Sequence, residues 1–318
     1  MAVGVRARKR PEADAEVVEK QTDQSDDDVP PLTFMRLIQL SRPGWWLVNA
    51  WLYMAPTGMQ WHLFSTAKFW FGLLWVVFPL NLLVYGLNDY TDVEIDVTNP
   101  RKGNFVYGAK CSRNELQNLP KVIFVSHTIG TVIFCAWGQS LHFVWIMLAA
   151  AAVNVAYNIP PLRLSGRGPF ELPTVVAGFS IVTILSTFWN ELPWPPTRYW
   201  LHMTFLVLRT QLWTEFMDHD EDAGFNRKTT SVLLGRALSQ IAVAAVLAGE
   251  ALMVWVNFDD AVLRGFSVMG LVMFILTEVL NVLPADKDKK IAVHSQNLVG
   301  LLLMVWIWNQ GLFVEVPY

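Results

Sequence analysis

The sequence predicts an all-α integral membrane bundle of about nine transmembrane helices, and three observations support this fold class. Hydrophobic residues make up 53% of the 318 residues and charged residues only 16%, with a mean hydropathy of +0.33. From about residue 44 onward, apolar stretches long enough to cross a bilayer alternate with polar loops. Fifteen tryptophans suit the interfacial belts of membrane proteins. Together these features favour a lipid bilayer as the surroundings of the chain.

The first 31 residues are expected to form a disordered tail ahead of a single domain, residues 32–318. The tail runs from a basic stretch to an acidic one, ends on Pro30-Pro31 and lacks an apolar run, which argues against a signal peptide. It contains 8 acidic and 5 basic side chains, whereas the remainder has 19 of each, so the tail carries the whole net charge of -3. A neutral body gives no indication of nucleic acid binding.

Nine apolar cores follow the tail, and each is predicted to be a helix. Their approximate limits are residues 44–61, 69–88, 121–138, 141–157, 171–190, 199–217, 238–257, 262–283 and 296–314. Several are short, so a re-entrant helix could replace one span. With the N-terminus in the cytoplasm, 20 of the 24 lysines and arginines fall on the cytoplasmic side, as the positive-inside rule requires. Lys68, Arg198 and Arg264 lie opposite, and Arg209 lies inside a span.

Two polar segments of this apolar chain repeat one another. They are Asp92-x3-Asp96-x4-Arg101-Lys102 and Asp218-x3-Asp222-x4-Arg227-Lys228. In the first copy Asn88, Asp92 and Asp96 recur at every fourth residue, so they share one face of a helix. Carboxylates stacked in this way need a cation between them or water around them, and Mg²⁺ binds such oxygens together with substrate phosphates. The spacing therefore predicts Mg²⁺ ions that hold a diphosphate, with a solvated acidic helix end as the alternative.

The predicted topology places both copies at the cytoplasmic ends of spans that run in the same direction, the second and the sixth. They can therefore face one cavity whose mouth is on the cytoplasmic side. After the first copy, Ser112-x-x-Glu115 predicts a capping box that opens the next helix. The stretch before it, residues 99–111, contains Pro100, Gly103 and Gly108 and is predicted to be a loop. This loop is either a lid over a phosphate or a plain connector.

These motifs resemble those of the UbiA superfamily of intramembrane prenyltransferases. NDYTDVEID (Asn88 to Asp96) resembles the first aspartate-rich motif of that family, and DHDED (Asp218 to Asp222) with Lys228-Thr229 resembles the second. YNIPPLRLSGRG (Tyr157 to Gly168) is similar to the loop between the fourth and fifth helices. Arg42-Pro43, with Asn49 about two turns on, also agrees. The resemblance covers residues from about 33 onward and implies a nine-helix bundle with a central cavity that opens sideways to lipid.

The resemblance implies a Mg²⁺-dependent transferase that moves a polyprenyl group from a prenyl diphosphate to a hydrophobic acceptor. Together with the helical spacing, it assigns Asn88, Asp92 and Asp96 to one Mg²⁺ and Asp218 and Asp222 to another as the catalytic set. The predicted substrate-binding residues are Arg101, Lys102, Arg163 and Lys228, which would pair with phosphate oxygens, and also Asn49 and Tyr157. Tyr157 would orient the diphosphate or polarise the acceptor, unless its hydroxyl is simply bonded to a backbone carbonyl.

Several features leave alternatives open. The extra acids Asp220 and Glu221, and the sequence NPRKGN at residues 99–104, are similar to the carotenoid-elongating branch more than to the quinone branches. A membrane terpene cyclase would keep the same ionisation step, and a cation transporter could also carry acids within the membrane.

His219 and Arg209 have two interpretations each, and the two cysteines have one. His219 is either a proton acceptor or only a neighbour of the metal site. Arg209 is expected to pair with Glu250 or Glu278, the alternative being a role in acceptor binding. Cys111 and Cys135 are too few for a disulfide framework or a zinc site and are expected to be inert.

Overall fold

The computed structural model describes residues 32–96, 102–282 and 299–315. These residues form helices and connecting turns, and within them the structure shows two isolated β-bridges and no strand. The all-α prediction is therefore confirmed. The predicted N-terminal tail and Arg101 lie outside the described residues.

The helices are labelled in chain order. They are α1 (Phe34–Leu40), α2 (Trp46–Met54), α3 (Ala67–Thr91), α4 (Val93–Asp96), α5 (Arg113–Gly138), α6 (His142–Asn158), α7 (Glu171–Trp189), α8 (Thr197–Met217), α9 (His219–Gly224), α10 (Thr230–Leu234), α11 (Arg236–Asn257), α12 (Ala261–Val279) and α13 (Val299–Gln310). Inside α3, residues Leu82–Gly86 form a π-helical turn directly before the first acidic motif.

Five of these helices, α3, α5, α7, α11 and α12, are long and apolar enough to cross a membrane. The apolar helices α6 and α13 are shorter as described, and α8 is long but carries Arg209 and Glu215. The first predicted span differs most, because α2 has only 9 residues and a 3₁₀ turn containing Pro56 follows it. Every predicted span thus contains a helix, and several of these have membrane length. The count of nine spans stays a prediction.

The chain forms two compact units. The first unit contains Leu73–Arg163 and Ala223–Arg227 together with residues 32–50, and the second contains Trp51–Gly72, Leu164–Asp222 and the residues from Lys228 onward. In the first unit α3 packs on α5 and α6. The ring of Trp75 meets Phe134 edge-on at a centroid distance of 5.4 Å, and Phe134 meets Phe143 at 5.7 Å. Gly130 of α5 lies against the indole of Trp75, which leaves no space for a Cβ atom.

In the second unit α8, α11 and α12 share a hydrophobic core. Its buried members are Leu212, Phe216, Val243, Leu247 and Phe274. On the same helices Arg209 Nε lies 3.0 Å from Glu250 Oε2, in a buried ion pair. This contact confirms the expected pairing of Arg209 with a glutamate, since an unpaired charge within an apolar bundle would be costly.

The local predictions ahead of α5 agree with the structure. The backbone N–H of Ser112 donates to Glu115 Oε2 at 2.8 Å, and the N–H of Glu115 donates to Ser112 Oγ at 3.3 Å, so the capping box is confirmed. Both cysteines have free thiols. Burial raises the pKa of the Cys111 thiol to about 12, which keeps the thiol protonated and agrees with an inert role.

Gly130 provides a test of the packing in the first unit. Gly130→Ala places a methyl group against Trp75, and overpacking of this kind costs about 1–3 kcal/mol. We expect the apparent melting temperature in detergent to fall by about 2–4 °C. Gly265→Ala is the matched control, because a Cβ on that helical glycine meets nothing within 4 Å. An equal change in both variants would contradict the close contact.

Candidate active site

The first acidic motif lies where α3 ends and α4 begins. The helix is interrupted at Asp92, whose φ and ψ are -104° and 15°. The four-residue hydrogen-bond spacing nevertheless continues, because Asp92 N–H donates to the Asn88 carbonyl and Asp96 N–H donates to the Asp92 carbonyl, both at 2.9 Å. Asn88, Asp92 and Asp96 therefore keep the one-turn spacing that the sequence predicts.

Asn88 connects three parts of the first unit. Its Nδ2 donates to Asp92 Oδ2 at 3.2 Å and to Asn158 Oδ1, at the end of α6, at 3.1 Å. Its Oδ1 accepts a hydrogen bond from the Arg42 guanidinium at 3.3 Å. With both ends of the amide engaged, the orientation of Asn88 is fixed relative to Asp92.

Asp92 is buried and lies between two arginines. The guanidinium of Arg163 donates to Asp92 Oδ1, and Arg227 lies 3.8 Å from Asp92 Oδ2. Arg163 reaches this position from a left-handed backbone conformation with φ of 38°, and its N–H donates to the carbonyl of Ile159 at 2.9 Å. The structure thus places Arg163 beside the first motif, and its pairing with phosphate stays a prediction.

Asp89, to which the sequence assigned no role, is buried and paired with two basic residues. Its Oδ1 accepts from Arg42 and from Lys102, each at 2.5 Å, and the residue is 2% exposed. Lys102 also lies 2.8 Å from Asp96 Oδ2. Burial raises the pKa of Asp96 to about 6, although the nearby ammonium of Lys102 acts in the opposite direction. Lys102 thereby links two carboxylates of the motif.

The second motif, in the second unit, repeats the backbone of the first. α8 ends at Met217, Asp218 has φ and ψ of -92° and 6°, and α9 follows. Asp218 N–H donates to Thr214 at 3.0 Å and Asp222 N–H donates to Asp218 at 2.9 Å. The sequence repeat is therefore also a repeat of local structure, with the first aspartate of each copy at the helix interruption.

The side chains of the second motif differ in exposure. Asp218 is half-buried, and Asp222 is buried and accepts a hydrogen bond from Thr229 Oγ1 at 3.3 Å. The extra acid Asp220 is exposed and pairs with Arg236 at 3.1 Å. His219 Nδ1 lies 3.2 Å from Ser231 Oγ. Of the two extra acids, Asp220 thus points away from the buried part of the motif.

Lys228 is joined to the loop that follows α6. Its N–H donates to the carbonyl of Gly166 at 3.1 Å, and its carbonyl accepts from the N–H of Gly168 at 2.6 Å. The Lys228 side chain is exposed. The structure therefore brings together two segments that the sequence named separately, the loop at residues 164–168 and the basic residue after the second motif.

Two predicted substrate-binding residues have other surroundings. Asn49 is buried and donates to the side chain of Asn81, within α3. Tyr157 is half-buried in the last turn of α6, one residue before Asn158.

The oxygen donors of the two motifs suit Mg²⁺, a hard cation that is held by one or two carboxylates and completes its shell with water and phosphate oxygens. Within the described ranges, no three Asp, Glu, His or Cys side chains converge to hold a metal ion by themselves. Asp89 Oδ2 is buried and has no hydrogen-bond partner in this part of the chain. Each motif therefore offers oxygen donors that fit a metal ion whose shell is completed by a phosphate ligand. These donors are Asn88, Asp92 and Asp96 in the first unit, and Asp218 and Asp222 in the second.

Sequence reasoning missed the roles of four residues at the first motif. Asp89 stood beside the predicted stripe, Arg227 began the second basic dipeptide, and Arg42 was noted only as part of the resemblance. Asn158, 1% exposed, follows Tyr157 directly. Each signal was present as a polar residue near the end of a span, but the partner that each one contacts depends on tertiary packing.

Comparison with known proteins finds lycopene elongase/hydratases among the relatives of this chain. The lycopene elongase/hydratase of Corynebacterium glutamicum is 36% identical over 144 residues, which are 43% of this chain and 46% of that protein. The lycopene elongase/hydratase of Haloarcula japonica is 25% identical over 234 residues, or 69% of this chain and 74% of that protein. The matched region thus spans about half the length of the first relative.

A similar fold is found in a solved structure of a UbiA homolog from Archaeoglobus fulgidus bound to DMAPP and Mg²⁺. The TM-score is 0.58 at 14% identity, over 86% of this chain and 99% of that one. The homolog bound to GPP and Mg²⁺ gives a TM-score of 0.57 at 13% identity, with coverage of 86% and 99%. At such low identity the likeness establishes the fold alone. The model of the UbiA prenyltransferase family matches residues 46–308, most of the chain, and the protein therefore belongs to the UbiA prenyltransferase family.

Proposed function

We propose that the protein is a Mg²⁺-dependent membrane prenyltransferase that moves a prenyl group from a prenyl diphosphate to a hydrophobic acceptor. The observation that carries this proposal is the charge cluster of the first unit. Its three carboxylates are interleaved with four basic side chains. They are Asp89, Asp92 and Asp96, with Arg42, Lys102, Arg163 and Arg227. Such a mixture of oxygen ligands and cations suits a diphosphate that is bound together with a divalent metal.

In this proposal Asn88, Asp92 and Asp96 hold one Mg²⁺, and Asp218 and Asp222 hold a second. The matching backbone of the two copies supports parallel roles for Asp92 and Asp218. Arg101, Lys102, Arg163 and Lys228 pair with phosphate oxygens. Asn49 and Tyr157 remain proposed substrate contacts. Asn49 is hydrogen-bonded to Asn81, and Tyr157 directly precedes Asn158 at the end of α6.

The chemistry begins when the allylic C–O bond breaks and its electron pair leaves with the diphosphate. Bound Mg²⁺ would supply the Lewis acidity that stabilises the negative charge on this leaving group. The guanidinium and ammonium groups of the cluster stabilise the same charge through hydrogen bonds. The remaining allylic cation takes the electron pair of an acceptor double bond and forms a new C–C bond. Loss of a proton from carbon, or addition of water followed by loss of a proton from the added water, then gives a neutral product.

The acceptor that we propose is a linear carotenoid such as lycopene. Support comes from the names of the relatives, which are lycopene elongase/hydratases, and from the NPRKGN sequence after the first motif. The long apolar helices suit an acceptor that resides in the bilayer. Family membership favours an enzyme over a transporter, and assays distinguish transfer from cyclisation.

Removing a metal-binding carboxylate tests the site. Asp92→Ala and Asp218→Ala should each reduce diphosphate release by at least about 100-fold, because the charge of the leaving group is no longer stabilised. The purified variants should remain folded and inserted in the membrane. Asp220→Ala is the matched control, since this exposed acid contacts Arg236. Full turnover of Asp92→Ala or Asp218→Ala would show that the assignment is wrong.

Chelation tests the need for a metal. Activity measured as diphosphate release should disappear in excess EDTA and return on addition of millimolar Mg²⁺. Na⁺ added to an equal ionic strength is the control, because a monovalent ion does not replace a divalent metal held by carboxylates. Turnover that is unchanged by the chelator would contradict a metal-dependent ionisation.

Product analysis tests the acceptor. With lycopene and dimethylallyl diphosphate, mass spectrometry should detect a carotenoid that is heavier by one prenyl unit, with or without an added water. The Asp92→Ala variant should give no such product. A cyclic terpene that forms from a longer prenyl diphosphate alone, without acceptor, would instead establish the cyclase alternative.

A further inference from the structure

Two buried glutamates outside the acidic motifs hold the segment that follows Lys228. Glu171 is the first residue of α7 and is 0% exposed. Its Oε1 accepts from the backbone N–H of Thr230 at 2.7 Å and from the Thr230 hydroxyl at 2.5 Å. One carboxylate oxygen thus fixes both the backbone and the side chain of Thr230.

Glu215, in the last turn of α8, holds the next residue. Its Oε2 accepts from the backbone N–H of Ser231 at 3.4 Å, and its Oε1 accepts from Gln211 at 2.7 Å. The hydroxyl of Thr229 donates a hydrogen bond to Asp222. Three successive residues, Thr229 to Ser231, therefore each donate to a different buried carboxylate.

The burial of Glu171 and Glu215 costs free energy, because each carboxylate is removed from water. Across the part of the chain that the structure describes, neither Glu171 nor Glu215 lies within ion-pair distance of a lysine or arginine. Glu171 Oε2 is buried and has no hydrogen-bond partner there either. Burial of a carboxylate without a counter-ion is unfavourable, so Glu171 depends on hydrogen bonds from Thr230, and Glu215 on those from Ser231 and Gln211.

Lys228, the residue before this segment, is held by backbone hydrogen bonds. Lys228 is paired with Gly166 and Gly168 through its own N–H and carbonyl. The loop at residues 164–168 therefore holds the backbone of Lys228, and buried carboxylates hold the three residues that follow it. The backbone that carries the Lys228 side chain thus has little freedom to move.

We propose that Glu171 and Glu215 are positioning residues that fix the backbone of Lys228 and, through Thr229, the carboxylate of Asp222. This inference rests on the proposed function, in which Lys228 pairs with the diphosphate and Asp222 holds a metal. Glu171 and Glu215 do not touch the substrate in this scheme. They act by keeping a cation and a carboxylate at a set position for the leaving group.

The test uses the purified full-length protein in detergent or lipid and compares three variants. Glu171→Leu removes the acceptor, whereas Glu171→Gln keeps one oxygen for Thr230. Thr174→Val, one turn along α7, is the matched control, because its hydroxyl bonds to Phe170 of the same helix. We expect kcat/KM for the prenyl diphosphate to fall about tenfold in Glu171→Leu, since small misplacements of a binding group carry losses of this order. Glu171→Gln should stay within about threefold of wild type, and Thr174→Val should match it.

A double-mutant cycle separates positioning from a general loss of structure. In a Lys228→Ala background Glu171→Leu should cost less, at most about threefold in kcat/KM, because one of the two groups through which it acts is missing and only the path to Asp222 remains. In a Lys102→Ala background it should still cost about tenfold. Equal losses in both backgrounds would overturn the proposal.

Hydrogen exchange gives a readout that does not depend on catalysis. The amides of residues 228–234 should exchange at least about tenfold faster in Glu171→Leu than in wild type, and at the wild-type rate in Thr174→Val. Unchanged exchange in Glu171→Leu would overturn the positioning role. A wild-type protein that shows this protection but releases no diphosphate would contradict the proposed function. It would leave intact the conclusion that Glu171 and Glu215 fix the Thr229–Ser231 segment.

Discussion

The burial of carboxylates at helix ends is the constraint on which the rest of this structure depends. Removing an ion from water costs several kcal/mol even after relaxation, so each buried acid needs hydrogen bonds or an opposite charge. The first unit meets this need with basic residues, as at Asp89 between Arg42 and Lys102. In the second unit the hydroxyls and amides of Thr229–Ser231 donate to buried acids, and Glu250 is paired with Arg209. Buried acids in the two units thus have different donors, which are charged at Asp89 and neutral at Glu171.

This difference has a chemical meaning. A carboxylate that is already paired with arginine or lysine exchanges one charged partner for another when a metal and a phosphate arrive. A carboxylate that accepts from a neutral donor, as Asp222 does from Thr229, can keep that donor when a metal binds. In the proposed reaction the cations of the first unit would thus move from acids to phosphate, whereas Asp222 would keep its hydrogen bond to Thr229.

The sequence predicted those features that depend on local spacing. Apolar runs located the helices, the four-residue repeat located the acidic stripe, and Ser112-x-x-Glu115 located a helix start. Long-range partners could not be predicted, because nothing in the spacing of Arg227 indicates that it reaches Asp92. The same holds for Asn49, which the resemblance associated with substrate and which the structure pairs with Asn81. Pro56 lies in the first predicted span, where a helix of 9 residues is followed by the 3₁₀ turn that contains this proline.

The π-helical turn at Leu82–Gly86 sets the direction around the helix axis in which the following side chains of α3 point. One additional residue per turn shifts the downstream helix by about 100° around its axis, so the apolar stripe upstream and the acidic stripe downstream follow different phases. A homologue that lacks this extra residue would present the equivalents of Asn88 and Asp92 to a different neighbour. Alignments of this span should therefore permit a single-residue gap between positions 82 and 86, where helical geometry, more than residue identity, decides the correspondence.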